Sequence, residues 1–155
     1  MRNKQKGFSL IELMIVVAII LIIAAIAIPS FMRSRIAANE SSAAGSMRTL
    51  NTACIAFSTS YGQFPTLLTN LGPIAANGTA SSTSADLIDS VLSAGSKSGY
   101  TFAYTSSAPY QTYTLTATPI TVGQTGQRMF FSNQSGVIRA DVSGAGATVA
   151  STPIG

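Results

Sequence analysis

Gly7, Phe8 and Glu12 are the residues whose types and spacing could do chemistry. Glu12 is a lone carboxylate in an apolar run that begins at Phe8, and from Leu13 to Ile28 no side chain is polar. An ionisable group deep in a membrane helix costs about 2.5–3.5 kcal/mol on insertion scales, and such a group usually has a partner and a function. No basic residue lies within helical reach of Glu12 on the segment that follows Gly7. The nearest cation would be a new α-amino group, created by cutting the chain between Gly7 and Phe8. Within one helix the Phe8 amine and the Glu12 carboxylate face each other only loosely. A neighbouring copy, shifted along the axis, could present its amine to Glu12, neutralising both charges and fixing an axial stagger. The chemistry suggested is proteolytic processing followed by charge-paired self-assembly.

The element that must carry these residues is a helix. Counted from Phe8 the apolar segment has about the ~20 residues needed to cross a bilayer. A backbone in hydrocarbon must satisfy its own hydrogen bonds, which a helix does. Before it stands a short basic leader with Arg2, Lys4 and Lys6, ending at Gly7. The stretch K-G-F-S-L-I-E-L-M resembles the N-terminal signature of the type IV pilin and pseudopilin family: basic leader, Gly, Phe, then an apolar helix with Glu at the fifth position after the cut. The resemblance implies that a prepilin peptidase and methyltransferase cleaves after Gly7 and N-methylates Phe8. It implies a single-pass subunit in the bacterial inner membrane, surrounded by lipid until an assembly machinery extracts it into a helical homo-oligomeric filament, periplasmic or at the cell surface. Glu12 would then pair with a neighbour's Phe8 amine.

Two plainer readings compete. One is a single-pass anchor with Glu12 near the headgroups. The other is a cleaved secretory signal with Ala25-Ile26-Ala27 as the peptidase site. The second accounts for the leader charges but gives no reason for Glu12 or for Gly7 just before the apolar run.

The 155 residues suffice for leader, membrane segment and one small domain. The formal charge of +4 falls to +1 once Arg2, Lys4 and Lys6 are set aside, so the basic pI gives no support for nucleic-acid binding. Leader cations suit a cytoplasmic N-terminus, although Arg33 and Arg35 flank the other end. Cys54 is the single cysteine, so no intrachain disulfide can form. It reads as a small buried apolar residue. Many type IV pilins close their C-terminal region with a disulfide, and its absence leans the resemblance toward pseudopilins.

Along the chain, residues 1–7 read as leader, 8–60 as one long helix with 8–28 its transmembrane or filament-core part, and 61–155 as a globular head. Pro29 should kink the helix. Met47, Leu50, Cys54, Phe57 and Tyr61 recur at three- and four-residue steps and should be buried. Arg33, Arg35, Asn39, Glu40 and Arg48 lie mostly off that stripe and should be wet or paired with neighbouring subunits. Gly62 and Pro65 end the helix. Leu67, Leu68 and Leu71 lie in a loop with about one helical turn. A short helix is expected from about Ala85 to Ala94, capped by Thr83 or Ser84, with Asp86 and Asp89 at its positive end and Gly95 closing it. The period then becomes two: Tyr100, Phe102 and Tyr104 in one segment, Tyr113, Leu115 and Ala117 in the next. Arg128–Ser132 and Val137–Ala140 form a last pair, and R-M-F-F-S-N-Q-S-G-V-I-R resembles C-terminal sheet sequences of major pseudopilins. The tail from Ser143 reads as loose.

The fold class is therefore α+β: a long N-terminal helix packed on a three- to four-stranded antiparallel sheet. With no histidine, no nucleophile elbow and no phosphate loop, catalysis has no residues to carry it. Major pseudopilins often bind calcium in a C-terminal loop, but here that region offers only Asp141, so no metal ligands and no cofactor are assigned. Phe8, Phe31, Phe57, Tyr61 and Phe64 read as packing residues. The expected function is a structural subunit of a pilus-like filament, or of the pseudopilus of a type II secretion system. The rival from another class is an anchored or secreted binding module.

Overall fold

The computed structural model describes residues 7–76, 78–143 and 146–154. One α-helix, α1, runs from Leu10 to Tyr61, with Pro29 inside it. Proline brings no N–H, so the i−4 carbonyl of Ala25 loses its helical donor there. The helix ends where expected, one residue later than Ser60: Gly62 takes φ +74 and its N–H returns to Ser58 O at 2.9 Å. A left-handed glycine just past the last turn is the usual way to satisfy the final carbonyls. The chain divides into two compact units, one through Arg35 and one from Ile36 to Gly155.

In the first unit the helix is apolar on all sides from Leu13 to Ile28. Its most apolar 18 residues have mean hydropathy 3.2 and none is buried, so it is long and apolar enough to cross a membrane.

In the second unit the remaining helix packs on a single antiparallel sheet. Its strands are β1 (Ser96–Lys97), β2 (Tyr100–Ser106), β3 (Tyr113–Pro119), β4 (Met129–Asn133), β5 (Arg139–Asp141) and β6 (Thr152–Pro153), in the spatial order β1-β2-β3-β4-β5-β6. The sheet thus has six strands, not three or four. The extra two are the short edge pieces β1 and β6, too brief to show alternation. β6 lies in the tail expected to be loose. It pairs through Arg139↔Pro153 and Ala140↔Thr152, and Ile154 N–H donates to Ile138 O.

The period-two reading of the central strands holds. Tyr100, Phe102, Tyr113, Leu115 and Ala117 are buried, and the register sets Phe102 opposite Ala117 and Tyr104 opposite Leu115. They meet Met47, Leu50, Cys54 and Phe57 of α1 in one core with Phe130 and Ile138. Burying each large side chain contributes roughly 1.5–3 kcal/mol before entropy is counted. Aromatic edges seal the end of the core: Phe64 meets Tyr113 at 4.8 Å between centroids, and Phe57 meets Tyr61 at 4.6 Å. Phe57, Tyr61 and Phe64 therefore serve the head's own packing.

The short helix is four residues, Ser90–Ser93, rather than Ala85–Ala94. Its cap is Asp89, whose Oδ1 accepts the Leu92 amide at 2.6 Å, and not Thr83 or Ser84. Asp86 stands at φ 55, outside helical space. The amides of Ala85, Asp86 and Leu87 donate instead to the carbonyls of Asn70, Gly72 and Leu71, next to the 3₁₀ turn Leu68–Leu71. A tertiary backbone pairing has replaced the first helical turns that the leucine spacing suggested.

Candidate assembly site at the N-terminus

The leader cations Arg2, Lys4 and Lys6 fall outside the described residues. Gly7 and Phe8 precede α1 without regular structure, and both are exposed. Ser9 opens the helix. Its Oγ accepts the Ile11 amide at 3.3 Å, and its own amide donates to Glu12 Oε2 at 2.8 Å. Glu12, at N3, reaches back to the N-cap amide as in a capping box, while the Ser9 hydroxyl takes the N2 amide rather than that of N3. This pattern was readable in S-L-I-E, where Ser stands three residues before Glu, yet Ser9 attracts no attention beside the apolar run. Glu12 thus has a partner within its own chain, and an acid in the first turn also suits the positive helix end. One carboxylate oxygen is engaged by Ser9, leaving acceptor capacity for a second donor.

Beyond the box, the side chains from Leu10 to Ile28 offer only hydrocarbon to their surroundings. Large apolar residues at Leu10, Ile11, Leu13, Met14, Ile15 and Val16, and on through Ile28, are all exposed. A helix apolar all round is one that other apolar matter must cover.

Of the polar residues assigned to an outer face of α1, Arg48 is exposed as expected, but Asn39 and Glu40 are not. Glu40 is only 7% exposed. Its Oε1 accepts the amides of Gln127 and Arg128 at 2.8 and 3.1 Å, and its Oε2 accepts Arg128 Nε at 2.7 Å. Burial pushes its carboxyl pKa up, but the Gln127 amide, the side chain and amide of Arg128 and that residue's charge together hold it below the ordinary 4.5. Asn39 Nδ2 donates to Thr125 O at 2.9 Å. Asn39 and Glu40 therefore hold the β3–β4 loop of their own subunit, and are neither wet nor free for neighbours. The sequence offers no sign of this, because the partners stand 86 to 88 positions away.

Asn51 is a second residue missed. It is buried on the helix stripe, donating to Ser132 Oγ at 2.8 Å and Gly136 O at 3.2 Å, and accepting from Tyr113 OH at 3.1 Å. Among the described residues no group of three or more His, Cys, Asp or Glu could hold a metal ion. Asp141 is occupied by the amide and hydroxyl of Ser143.

The helix is exposed, long and apolar enough to cross a membrane, and carries a single carboxylate, Glu12, near its start. The family model for the prokaryotic N-terminal methylation motif matches residues 2–28. The type IV major fimbrial protein FimA of Dichelobacter nodosus is 52% identical over 59 residues, 36% of this chain and 37% of that protein. The type IV major pilin protein PilA of Myxococcus xanthus (strain DK1622) is 52% identical over 50 residues, 32% of this chain and 23% of PilA. Over this N-terminal segment the chain is similar to proteins of the type IV pilin family. The chain spans 37% and 23% of the length of these two relatives. No solved structure matches it.

Proposed function

We propose that the chain is a structural, non-enzymatic subunit of a type IV pilus-like filament. A prepilin peptidase cuts between Gly7 and Phe8, Phe8 is N-methylated, and the segment from Phe8 to Ile28 waits in the inner membrane. Assembly then exchanges lipid for the helices of other copies. The observation that carries this reading is the exposure of the whole apolar surface of α1 through Ile28, interrupted only by Glu12.

Glu12 sets the register by accepting a neighbour's Phe8 amine while its Ser9 hydrogen bond persists. In an apolar setting a lone carboxylate is costly, so a displaced copy without that pair is disfavoured. Pro29, with one helical hydrogen bond missing behind it, is the place where the helix bends to fit its neighbours. The similarity to a major fimbrial protein and a major pilin favours a surface pilus over the secretion-system pseudopilus to which the missing disulfide points.

The test is mass spectrometry of the N-terminal peptide together with electron microscopy of surface-sheared material. A peptide beginning at methylated Phe8 in filaments is expected, and Glu12→Ala should leave the subunit inserted but poorly assembled. A mature chain beginning at Ile28, or full filament yield from Glu12→Ala, would overturn processing and pairing respectively.

A further inference from the structure

Two surfaces of this chain are left with complementary chemistry. Among the described residues the ion pairs are Lys97–Asp89 and Arg128–Glu40. Arg139 Nη1 is held by Ser151 O, and Asp141 by Ser143. Arg35 is exposed on α1 outside those pairs, and the residues one turn away on either side, Phe31, Met32, Ala38 and Asn39, bring no acid. Arg35 shares a helix stripe with Phe31 and Ile28, which stand 67% and 61% exposed. These positions, three and four residues apart, present one cation and two large apolar groups over about 10 Å of helix.

The head carries the counterpart. Asp86 is exposed, outside the ion pairs, and fixed in place because its amide donates to Gly72 O at 2.9 Å. Beside it stand Leu87 and Val91, 38% and 53% exposed. Leu87 borders a groove of about 380 Å³ along the helix face at Arg48, Thr52 and Ala56. The groove is lined by threonine, alanine and leucine together with Arg48, and Asp86 immediately precedes its Leu87 in the chain.

Resting on the filament reading, we propose that this groove receives the Ile28–Phe31–Arg35 stripe of a second copy of the chain. Phe31 enters beside Leu87 and Val91, and Arg35 pairs with Asp86. The contact covers apolar surface on both partners and gives Arg35 and Asp86 their counter-charges. It adds a head-to-helix contact to the burial of the apolar helices, so that the head takes part in specifying the stagger.

The test uses filaments sheared from cells producing the full chain with Phe31→Cys and Leu87→Cys together. Non-reducing gels should show disulfide-linked multimers that neither single variant gives. Cys54 is buried and stays out of the reaction. Asp86→Asn keeps a residue that tolerates φ 55 and removes only the charge. It should lower filament yield, by at most about fivefold, the upper end for one exposed ion pair. Abundant filaments without multimers, or wild-type yield from Asp86→Asn, overturn this contact and leave the filament reading standing. A wild-type chain that makes no filaments overturns both.

Discussion

Glu40 Oε2 lies 2.7 Å from Arg128 Nε while Glu40 Oε1 receives the amides of Gln127 and Arg128. One carboxylate thus ties the helix to the loop between β3 and β4. Hydrogen bonds to a charged group contribute roughly 1.5–3 kcal/mol, so Glu40→Gln should destabilise the head by about 2 kcal/mol. The folded pKa is depressed below the ordinary 4.5, which fixes the sign. The stabilisation is present above that value and is lost as pH falls through the folded pKa. Thermal melts of detergent-solubilised wild type and Glu40→Gln should differ at pH 7 and converge as pH falls below 4.5 and through the depressed folded pKa. A difference that does not shrink with acid would contradict the charged clamp.

Asn51 joins Tyr113 OH, Ser132 Oγ and Gly136 O inside the core. Asn51→Ala leaves those groups with fewer partners and opens a small cavity, each a recognised source of instability. A loss of about 2–4 kcal/mol in denaturant unfolding is expected, on the scale of large-to-small core changes. Tyr113→Phe, which orphans only one acceptor, should cost about 1–2 kcal/mol. The two losses should fall short of additive in the double variant, because the residues share a bond.

Gly126 lies against the ring of Tyr100, whose hydroxyl donates to Arg128 O at 2.8 Å. A Cβ at residue 126 would overlap that hydroxyl and lie 2.6 Å from Tyr100 Cζ. Gly126→Ala should therefore cost about 1–3 kcal/mol as overpacking. Adding Tyr100→Phe should not restore the melting temperature, because the ring carbon stays where the new methyl must go. Recovery in that pair would place the conflict at the hydroxyl alone.

Cys54 is fully enclosed, and burial pushes its thiol up to about 12. The thiolate is the reactive species, so folded protein should resist a thiol reagent at pH 8 and react only on unfolding. Rapid stoichiometric labelling of native chain would contradict the packing of α1 on the sheet.

The hydrophobic periods made much of this architecture legible. The stripe from Met47 to Phe57 and the alternation at Tyr100–Tyr104 and Tyr113–Ala117 are repeated local signals, and the core stands on them. Gly62 announced the helix end through its backbone freedom. The polar joints were not legible, since Glu40, Asn39 and Asn51 each bond to residues more than 80 positions away. Nothing in their neighbours distinguishes a clamp from a solvated face. At Ala85–Ile88 local spacing misled, because backbone donors found carbonyls in the preceding loop instead of in a helix. At the N-terminus Glu12 stood out by its cost, while Ser9 was hidden by being ordinary.

Pro153 on the outermost strand has a last consequence. An edge residue without an N–H is a poor template for a further strand, and a two-residue edge is short besides. In the proposed filament, this edge discourages heads crowded along the fibre from zipping into one another's backbones. In such a filament the contacts between heads fall to side chains rather than to shared strands.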